Sequence, residues 1–158
     1  MAKTTTTQRV PIQYLVIHCT DTPEGRHITS DDIRRWHLKE RGWKQVGYTD
    51  MIHLDGTVER LVENNDDAYV DGWEVTNGVR GYNRHSRHVV YVGGKARNGI
   101  AYKDTRTPEQ IKALTKICKE FAEIAPNAKI VGHRDLNKAK DCPCFDVKAF
   151  VKEIGIKQ

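Results

Sequence analysis

The sequence GHRDLNKAKDCPCFD, which runs from Gly132 to Asp146, places a histidine, a lysine and a cysteine within ten residues. It follows an apolar run at 129–131, which is typical of a β-strand. An imidazole at a strand end and a thiolate in the loop behind it, His133 and Cys142, can supply two ligands to one metal ion. Catalytic zinc usually takes three protein ligands and keeps a fourth position for water. A third candidate is His18, which ends another apolar run near the start of the chain.

The length of 158 residues favours one domain with a single core. The hydrophobic content of 38% and the charged content of 30% are ordinary for a globular protein. No apolar run approaches the ~20 residues that cross a bilayer, so we expect no membrane insertion. Residues 1–8 are rich in threonine and lack the apolar core of a secretory signal. The sequence therefore predicts synthesis in the cytoplasm without a signal peptide.

The net charge of +5 suits an anionic partner such as nucleic acid, a membrane surface or a bacterial wall polymer. A mildly basic surface without any partner explains the charge equally well. The chain has neither a basic helix nor an aromatic platform that would favour nucleic-acid binding. We therefore expect no nucleic-acid partner.

The hydrophobic patterns predict the order strand, helix, hairpin, strand, helix, strand, helix. This order predicts an α/β fold: a single domain at 12–158 with a central mixed β-sheet and helices packed on it, preceded by a flexible tail at 1–11. A long polar loop at 63–87 interrupts the pattern, and such loops are often functional.

Three local signals set the predicted element boundaries. Thr29 and the acids after it predict the start of a helix that Gly42 ends. Asp55-Gly56 predicts a hairpin with a type I′ turn. The sequence Thr107-Pro108-Glu109-Gln110 predicts a second helix with a capping box. Asp146 is a candidate cap for a last helix.

The four cysteines are Cys19, Cys118, Cys142 and Cys144. Without a signal peptide, a disulfide framework is not expected. Cys19 alternates with His18 along a strand and should point to the opposite face, into the core. Cys118 lies in a helical pattern and should be a small core residue. Cys144 could be a fourth metal ligand, but four ligands would close the site, so we favour a buried thiol.

A set of short motifs, taken in order over residues 13–154, resembles one known family. The chain resembles the zinc-dependent N-acetylmuramoyl-L-alanine amidases of the type-2 amidase and peptidoglycan-recognition fold, and among them the phage and prophage endolysins. The motifs that carry the resemblance are Val16-Ile17-His18-Cys19-Thr20, Ile33-Arg34-Arg35-Trp36-His37, Gly42-Trp43, Val46-Gly47-Tyr48, Asp55-Gly56-Thr57-Val58-Glu59, Gly81-Tyr82-Asn83, Val92-Gly93-Gly94, Thr107-Pro108-Glu109-Gln110, Gly132-His133-Arg134-Asp135 and Cys142-Pro143-Cys144-Phe145-Asp146.

The resemblance implies one catalytic Zn²⁺ bound by His18, His133 and Cys142. It implies that Tyr48 and Lys140 are the two catalytic side chains. The expected reaction is hydrolysis, by zinc-activated water, of the amide bond between N-acetylmuramic acid and L-alanine of peptidoglycan. Lys140 would stabilise the charge that develops on the carbonyl oxygen, and Tyr48 would orient the water or relay its proton. A monomer that acts on the bacterial cell wall after release from the cytoplasm is implied.

The chain departs from the family pattern at the expected substrate cleft. Asn77-Gly78-Val79-Arg80 stands where many relatives have a histidine, and Arg87-His88 replaces the usual Ile-Gly. Thr49 and Asp50 follow Tyr48 where relatives carry an aromatic residue or histidine. Arg80, Arg84 and Arg87 are equally consistent with contacts to acidic groups of the stem peptide and with plain exposure. Asp135 is a candidate to hold a ligand or the loop, or to form a salt bridge.

Other functions compete with the amidase reading. The chief alternative is a non-catalytic peptidoglycan-binding module on the same fold, but such modules typically lose the cysteine ligand that this chain keeps at Cys142. A thiol hydrolase that uses Cys19 or Cys142 with a histidine would be insensitive to chelators.

Overall fold

The computed structural model describes residues 9–158. The strands are β1 (Val10–Pro11), β2 (Tyr14–Cys19), β3 (Thr22–Pro23), β4 (Asp50–Ile52), β5 (Val58–Arg60), β6 (Tyr69–Val70), β7 (Ser86–Tyr91), β8 (Gly94–Lys95) and β9 (Lys129–Gly132). The α-helices are α1 (Ser30–Arg34), α2 (Pro108–Ile124), α3 (His133–Leu136) and α4 (Val147–Glu153). A π-helical segment, Arg35–Glu40, continues α1, and 3₁₀ turns lie at Gly72–Glu74 and Asn83–His85.

The central sheet has five strands in the order β5-β4-β7-β2-β9. Strand β2 runs parallel to β7 and β9, β4 runs parallel to β7, and β5 pairs with β4 antiparallel. The sheet is therefore mixed, and the prediction of one α/β domain is confirmed. Two small pairs, β1 with β6 and β3 with β8, flank it.

The two faces of the sheet bury different side chains. Leu15, Ile17 and Cys19 of β2 belong to one apolar cluster, which α2 and α4 cover with residues such as Leu114 and Phe150. The side chains that alternate with them face a second, smaller cluster beneath α1, where Ile33, Val46 and Met51 are buried. Because side chains alternate along a strand, His18 emerges on this second face. The predictions that Cys19 and Cys118 are core residues are confirmed.

Helix α1 begins as the sequence predicts. Thr29 Oγ1 accepts from the Asp32 N–H at 3.1 Å, and Asp32 accepts in return from the Thr29 N–H at 2.9 Å. This reciprocal pair satisfies two N–H groups that the helix itself leaves free. Gly42, with a φ of 70°, follows the helical segment in the left-handed region that favours glycine. The hydrophobic spacing did not distinguish the π-helical second half from an α-helix.

Helix α2 is fixed to the sheet by one buried amide, Gln110. Its Oε1 accepts from the Thr107 N–H at 2.9 Å and completes the predicted capping box. Its Nε2 donates to the carbonyl of Val92 at 3.0 Å and lies 3.4 Å from that of Ile52. The side chain is fully buried, so these bonds satisfy groups that water cannot reach.

Two predicted local features differ in the structure. The predicted tail at 1–11 extends too far, because β1 pairs with β6 and the next residue, Ile12, is buried; residues 1–8 lie outside the described residues. The hairpin forms, but its turn is not type I′, which requires a positive φ at both central residues. Gly56 has a φ of 88°, whereas Asp55 is not among the residues with a positive φ. The Gly56 N–H donates to the His53 carbonyl, so Gly56 is the last residue of the turn.

We predict that replacing Gln110 with leucine destabilises the protein by about 2–4 kcal/mol. The change keeps the volume but leaves the buried carbonyl of Val92 unpaired and removes the cap on Thr107. Thr115→Ala, which removes only a helix-surface bond to the Ile111 carbonyl, is the control and should change stability by less than about 0.5 kcal/mol. Urea unfolding of both variants measures the difference. Equal stability of Gln110→Leu and wild type would show that the amide does not anchor the helix.

Candidate metal centre and active site

Three side chains that can bind a metal converge at the end of the sheet. One ligand atom from each of His18, His133 and Cys142 lies within 4.8 Å of the other two. His18 is buried, and the other two are partly exposed. Two imidazoles and one thiolate form a donor set that suits zinc and leaves one coordination position open. The structure thus brings together the three residues that the sequence suggested as ligands.

The strand register explains why the two histidines meet. Ile17 of β2 pairs with Gly132 of β9, and the next residue of each strand is a histidine. Because the two strands are parallel, their carboxyl ends lie at the same edge of the sheet. The ring centroids of His18 and His133 are 4.8 Å apart. His133 is the first residue of the short helix α3, directly after the end of β9.

Backbone contacts hold the cysteine loop against the strand ends. The Arg134 N–H donates to the carbonyl of Cys142 at 2.8 Å, and the Cys19 N–H donates to the Cys142 thiol sulfur at 3.2 Å. The buried Tyr91 hydroxyl donates to the Pro143 carbonyl at 2.6 Å. A Cβ on Gly132 would lie 2.8 Å from Pro143 Cδ, so only glycine allows this close approach.

Asp135 acts on the loop rather than on a ligand side chain. Its Oδ2 accepts from the Gly132 N–H at 2.7 Å, directly before His133. This bond fixes the turn from β9 into α3. Of the three roles suggested by the sequence, the structure therefore shows the one in the loop.

Tyr48 packs beside the ligand cluster. Its ring centroid lies 5.1 Å from that of His18 and 5.2 Å from that of His37. The Gly47 N–H donates to His37 Nδ1 at 3.0 Å, which fixes the backbone before Tyr48. Burial, followed by the neighbouring thiols, raises the pKa of Tyr48 well above its usual range. The phenol is therefore protonated at neutral pH.

Lys140 lies on the exposed part of the loop that carries Cys142. Its N–H donates to the Asn137 carbonyl at 3.1 Å in a turn. Burial and then the positive charge of Lys140 lower the pKa of His133 to about 4. The positive charge of Lys140 thus lies near enough to His133 to disfavour protonation of that imidazole.

The imidazoles at the site are neutral at pH 7. Burial lowers the pKa of His18 well below its usual value, and the neighbouring His88 contributes next. Burial and then His133 lower the pKa of His88 to about 3. Metal binding requires unprotonated imidazole nitrogens, so the folded chain presents His18 and His133 in the state that binds.

The sequence did not identify His88 as part of the site. His88 Nδ1 lies 2.9 Å from His18 Nε2, and His88 Nε2 lies 2.9 Å from Asn83 Oδ1. His88 sits in an apolar run that correctly predicted a strand, and its contact is 70 positions away in the chain. The only feature of the sequence that drew attention to His88 was its position in Arg87-His88, a segment that departs from the family pattern.

Cys144 and the three arginines considered in the sequence analysis do not belong to the ligand cluster. Cys144 Sγ donates to the Gly94 carbonyl at 3.3 Å and lies 3.8 Å from Cys19 Sγ, away from the ligand cluster. It is partly rather than fully buried. Arg87 donates to the carbonyls of Asp67 and Tyr69, so its guanidinium is held by the chain itself. Arg80 and Arg84 are exposed.

A cavity of about 850 Å³ lies elsewhere, between α2 and the β4–β5 hairpin. Phe121 and Ile117 line one side of it, and Asp50 and Arg60 line the other. None of the three ligand candidates, Tyr48 or Lys140 lines this cavity. Of the residues near the ligand cluster, His88 does line it. In the part of the chain that the structure describes, no helix has the length and apolar character to cross a bilayer.

The chain is similar to several known proteins over most of its length. The family model for N-acetylmuramoyl-L-alanine amidase matches residues 8–145. The endolysin of Enterobacteria phage K11 is 37% identical over 152 residues, which cover 96% of this chain and 93% of the relative. The endolysin of Escherichia phage T7 is 32% identical over 94% of this chain and 91% of the relative.

Among solved structures, the Ph2119 endolysin from a Thermus scotoductus bacteriophage superposes with a TM-score of 0.69 and 28% identity. The match covers 94% of this chain and 87% of that endolysin. The amidase LysC from Clostridium intestinale has a TM-score of 0.71 over 94% of this chain and 88% of its own, at 20% identity, and shares the fold.

We predict that His37 makes stability pH-dependent. Burial and then the Arg41 charge lower its pKa from 6.5 to about 4. As the pH falls below 6.5 the unfolded chain takes up this proton first, so stability is complete above pH 6.5 and is lost down to about pH 4. Between pH 7.5 and 4.5 the loss from this residue should be ~2.5 kcal/mol.

The test variant is His37→Asn, because the asparagine Oδ1 can accept the Gly47 N–H but does not titrate. Urea unfolding with a chelator present, across this pH range, should show a shallower loss in the variant than in wild type. Parallel curves for the two proteins would contradict the assignment to His37.

Proposed function

The chain belongs to the N-acetylmuramoyl-L-alanine amidase family, and from this premise we propose that it works with one zinc ion held by His18, His133 and Cys142. The protein is an amidase that hydrolyses the amide bond between N-acetylmuramic acid and L-alanine of peptidoglycan. The observation that carries the zinc proposal is the convergence of three ligand atoms within 4.8 Å at the ends of two parallel strands.

The residues present fit zinc better than magnesium or calcium. A thiolate with two imidazoles favours zinc over magnesium or calcium, which prefer oxygen ligands. When bound, zinc supplies a Lewis acid that makes water nucleophilic at neutral pH. The chain supplies neutral imidazoles for this purpose, because burial has already lowered the pKa of each.

Lys140 has the role of stabilising negative charge. The carbonyl oxygen of the scissile amide gains charge when water attacks, and a nearby ammonium lowers the energy of that state. Lys140 is solvent-exposed in the free protein, and its charge contributes, after burial, to the lowered pKa of His133. A substrate that covers the loop would strengthen the interaction by excluding water.

Tyr48 has the role of positioning the attacking water. Its ring packs against the rings of His18 and His37. Because its pKa is raised, the phenol keeps its proton and can both donate and accept a hydrogen bond. A water molecule between Tyr48 and the ligand cluster would thus be oriented by a neutral group.

Similarity to phage endolysins along nearly the whole chain supports an endolysin role, in which the protein degrades the bacterial cell wall. We propose that the protein is made in the cytoplasm and reaches the wall after release. We further propose that it acts there as a monomer and has no nucleic-acid partner. The net charge of +5 favours approach to an anionic wall polymer.

Digestion of purified peptidoglycan with and without a strong chelator tests the proposed function. We expect new L-alanine amino groups and no new reducing sugars, with activity lost on chelation and restored by zinc. New reducing ends would overturn the amidase assignment, and activity that resists chelation would overturn the zinc proposal in favour of a thiol hydrolase. Tight wall binding without any product would favour a recognition module.

We predict that Cys142→Ser lowers zinc affinity by more than about 100-fold and abolishes amide hydrolysis, since even changes outside the ligand set cost about 10–100-fold. The matched control is Cys144→Ser, because Cys144 lies two residues away and bonds to the Gly94 carbonyl. It should keep zinc and activity. Chelator competition measures the affinity. Unchanged zinc binding in Cys142→Ser would remove this residue from the ligand set.

We predict that Lys140→Ala keeps zinc affinity and lowers kcat by about 100-fold or more, the usual effect of losing a group that stabilises the oxyanion. Lys138→Ala is the control, since Lys138 is an exposed lysine on the same loop. Hydrolysis of a soluble muramyl peptide gives kcat for both. If the two variants have the same rate, Lys140 acts only as a surface charge.

A further inference from the structure

Two buried imidazoles are in direct contact at the site, although only one of them is a ligand candidate. His88 is 0% exposed and His18 is 1% exposed, and a 2.9 Å contact joins His88 Nδ1 to His18 Nε2. Burying a second imidazole costs free energy unless its nitrogens are paired. Both nitrogens of His88 are paired, the second with Asn83 Oδ1 at 2.9 Å.

The neighbouring backbone determines where the protons lie in this network. The Val79 N–H, which can only donate, points at Asn83 Oδ1 at 2.9 Å, so this end of the Asn83 amide is an acceptor. His88 Nε2 faces the same oxygen and must carry a hydrogen. A neutral imidazole has one N–H, so His88 Nδ1 has a lone pair and accepts from the Nε2–H of His18.

The chain of bonds leaves His18 with its lone pair on Nδ1. That nitrogen lies 3.9 Å from Cys142 Sγ, on the side of the ligand cluster. The ring nitrogen that a metal needs is therefore the one that the network leaves unprotonated. His88 itself does not belong to the ligand cluster found among the described residues.

The backbone beside the His88 ring also restricts its position. A Cβ on Gly78 would collide with Nδ1 and Cγ of His88, so the glycine backbone lies directly beside the imidazole. Gly78 and His88 lie ten positions apart in the chain. The two segments thus meet at one point, beside His18.

We propose that His88 is a positioning residue for the metal centre: with Asn83 it holds His18 in the Nε2–H tautomer and directs the Nδ1 lone pair of His18 toward the bound ion. This inference rests on the proposed function in that it takes His18 as a ligand. Hydrogen bonds to the second nitrogen of a metal-binding histidine commonly set its tautomer and its ring orientation.

The first test uses the metal-free protein with ¹⁵N-labelled histidine and needs no enzymatic activity. Long-range ¹H–¹⁵N spectra at pH 7 report which nitrogen of each imidazole carries the proton. We expect His18 and His88 both protonated on Nε2 and not on Nδ1. A His18 protonated on Nδ1 in the wild-type protein would overturn the proposal, whatever the variants do.

The second test compares His88→Leu with His88→Asn. The two replacements have the same branched shape, but only asparagine places an acceptor oxygen where His88 Nδ1 lies. Zinc affinity, measured by chelator competition, should fall about 10–100-fold in His88→Leu and stay within about threefold in His88→Asn. The ¹⁵N spectrum of His88→Leu should also show His18 no longer in a single tautomer.

The outcomes separate this inference from the proposed function. Absence of zinc binding in wild type would overturn the proposed function, while the tautomer measurement would still decide the role of His88. Equal affinity in wild type, His88→Leu and His88→Asn would overturn the positioning role and leave the zinc site intact. If His88→Leu does not fold, Asn83→Leu, which frees His88 Nε2 from its acceptor, should show the same change in the His18 spectrum.

Discussion

The parallel pairing of β2 with β9 is the constraint on which the site depends. The register Ile17 to Gly132 makes the next residue of each strand a histidine, so the sheet delivers two imidazoles to one edge. A slip of one residue would turn the side chain of His18 to the opposite face of the sheet. The packing of α4 on β9 supports this pairing from outside the site.

Burial of polar groups is the second theme of the structure. His88, Gln110 and the Tyr91 hydroxyl are each almost inaccessible to solvent, and each has hydrogen-bond partners. Such groups stabilise a fold little in net terms, but leaving one unpaired is costly. They therefore select one arrangement of strands and loops over others. At the site the same rule decides which nitrogen of His18 is free, so folding and metal binding draw on one set of contacts.

Short-range signals in the sequence predicted most of the fold. The Thr29 and Thr107 caps, the apolar strand before His18 and the hairpin at Gly56 are all where the sequence indicated, because each signal acts over a few residues. The strand β1 and the π-helical turn escaped prediction, since two residues carry no period and π and α spacing look alike. The three ligand candidates were predictable because each ends or follows a strand, but nothing local tied His88 to a partner 70 positions away.

The His88 ring fills the space that a side chain at position 78 would need, and this has an evolutionary consequence. Any side chain at position 78 collides with the imidazole at position 88, so the two sites are epistatic. A lineage that enlarges residue 78 must first, or at the same time, shrink residue 88. Substitution at 88 alone leaves an unfilled space beside His18, whereas substitution at 78 alone displaces the ring. Among homologues, the two positions should therefore vary as a correlated pair, and ancestral reconstructions should pass through the smaller residue at both.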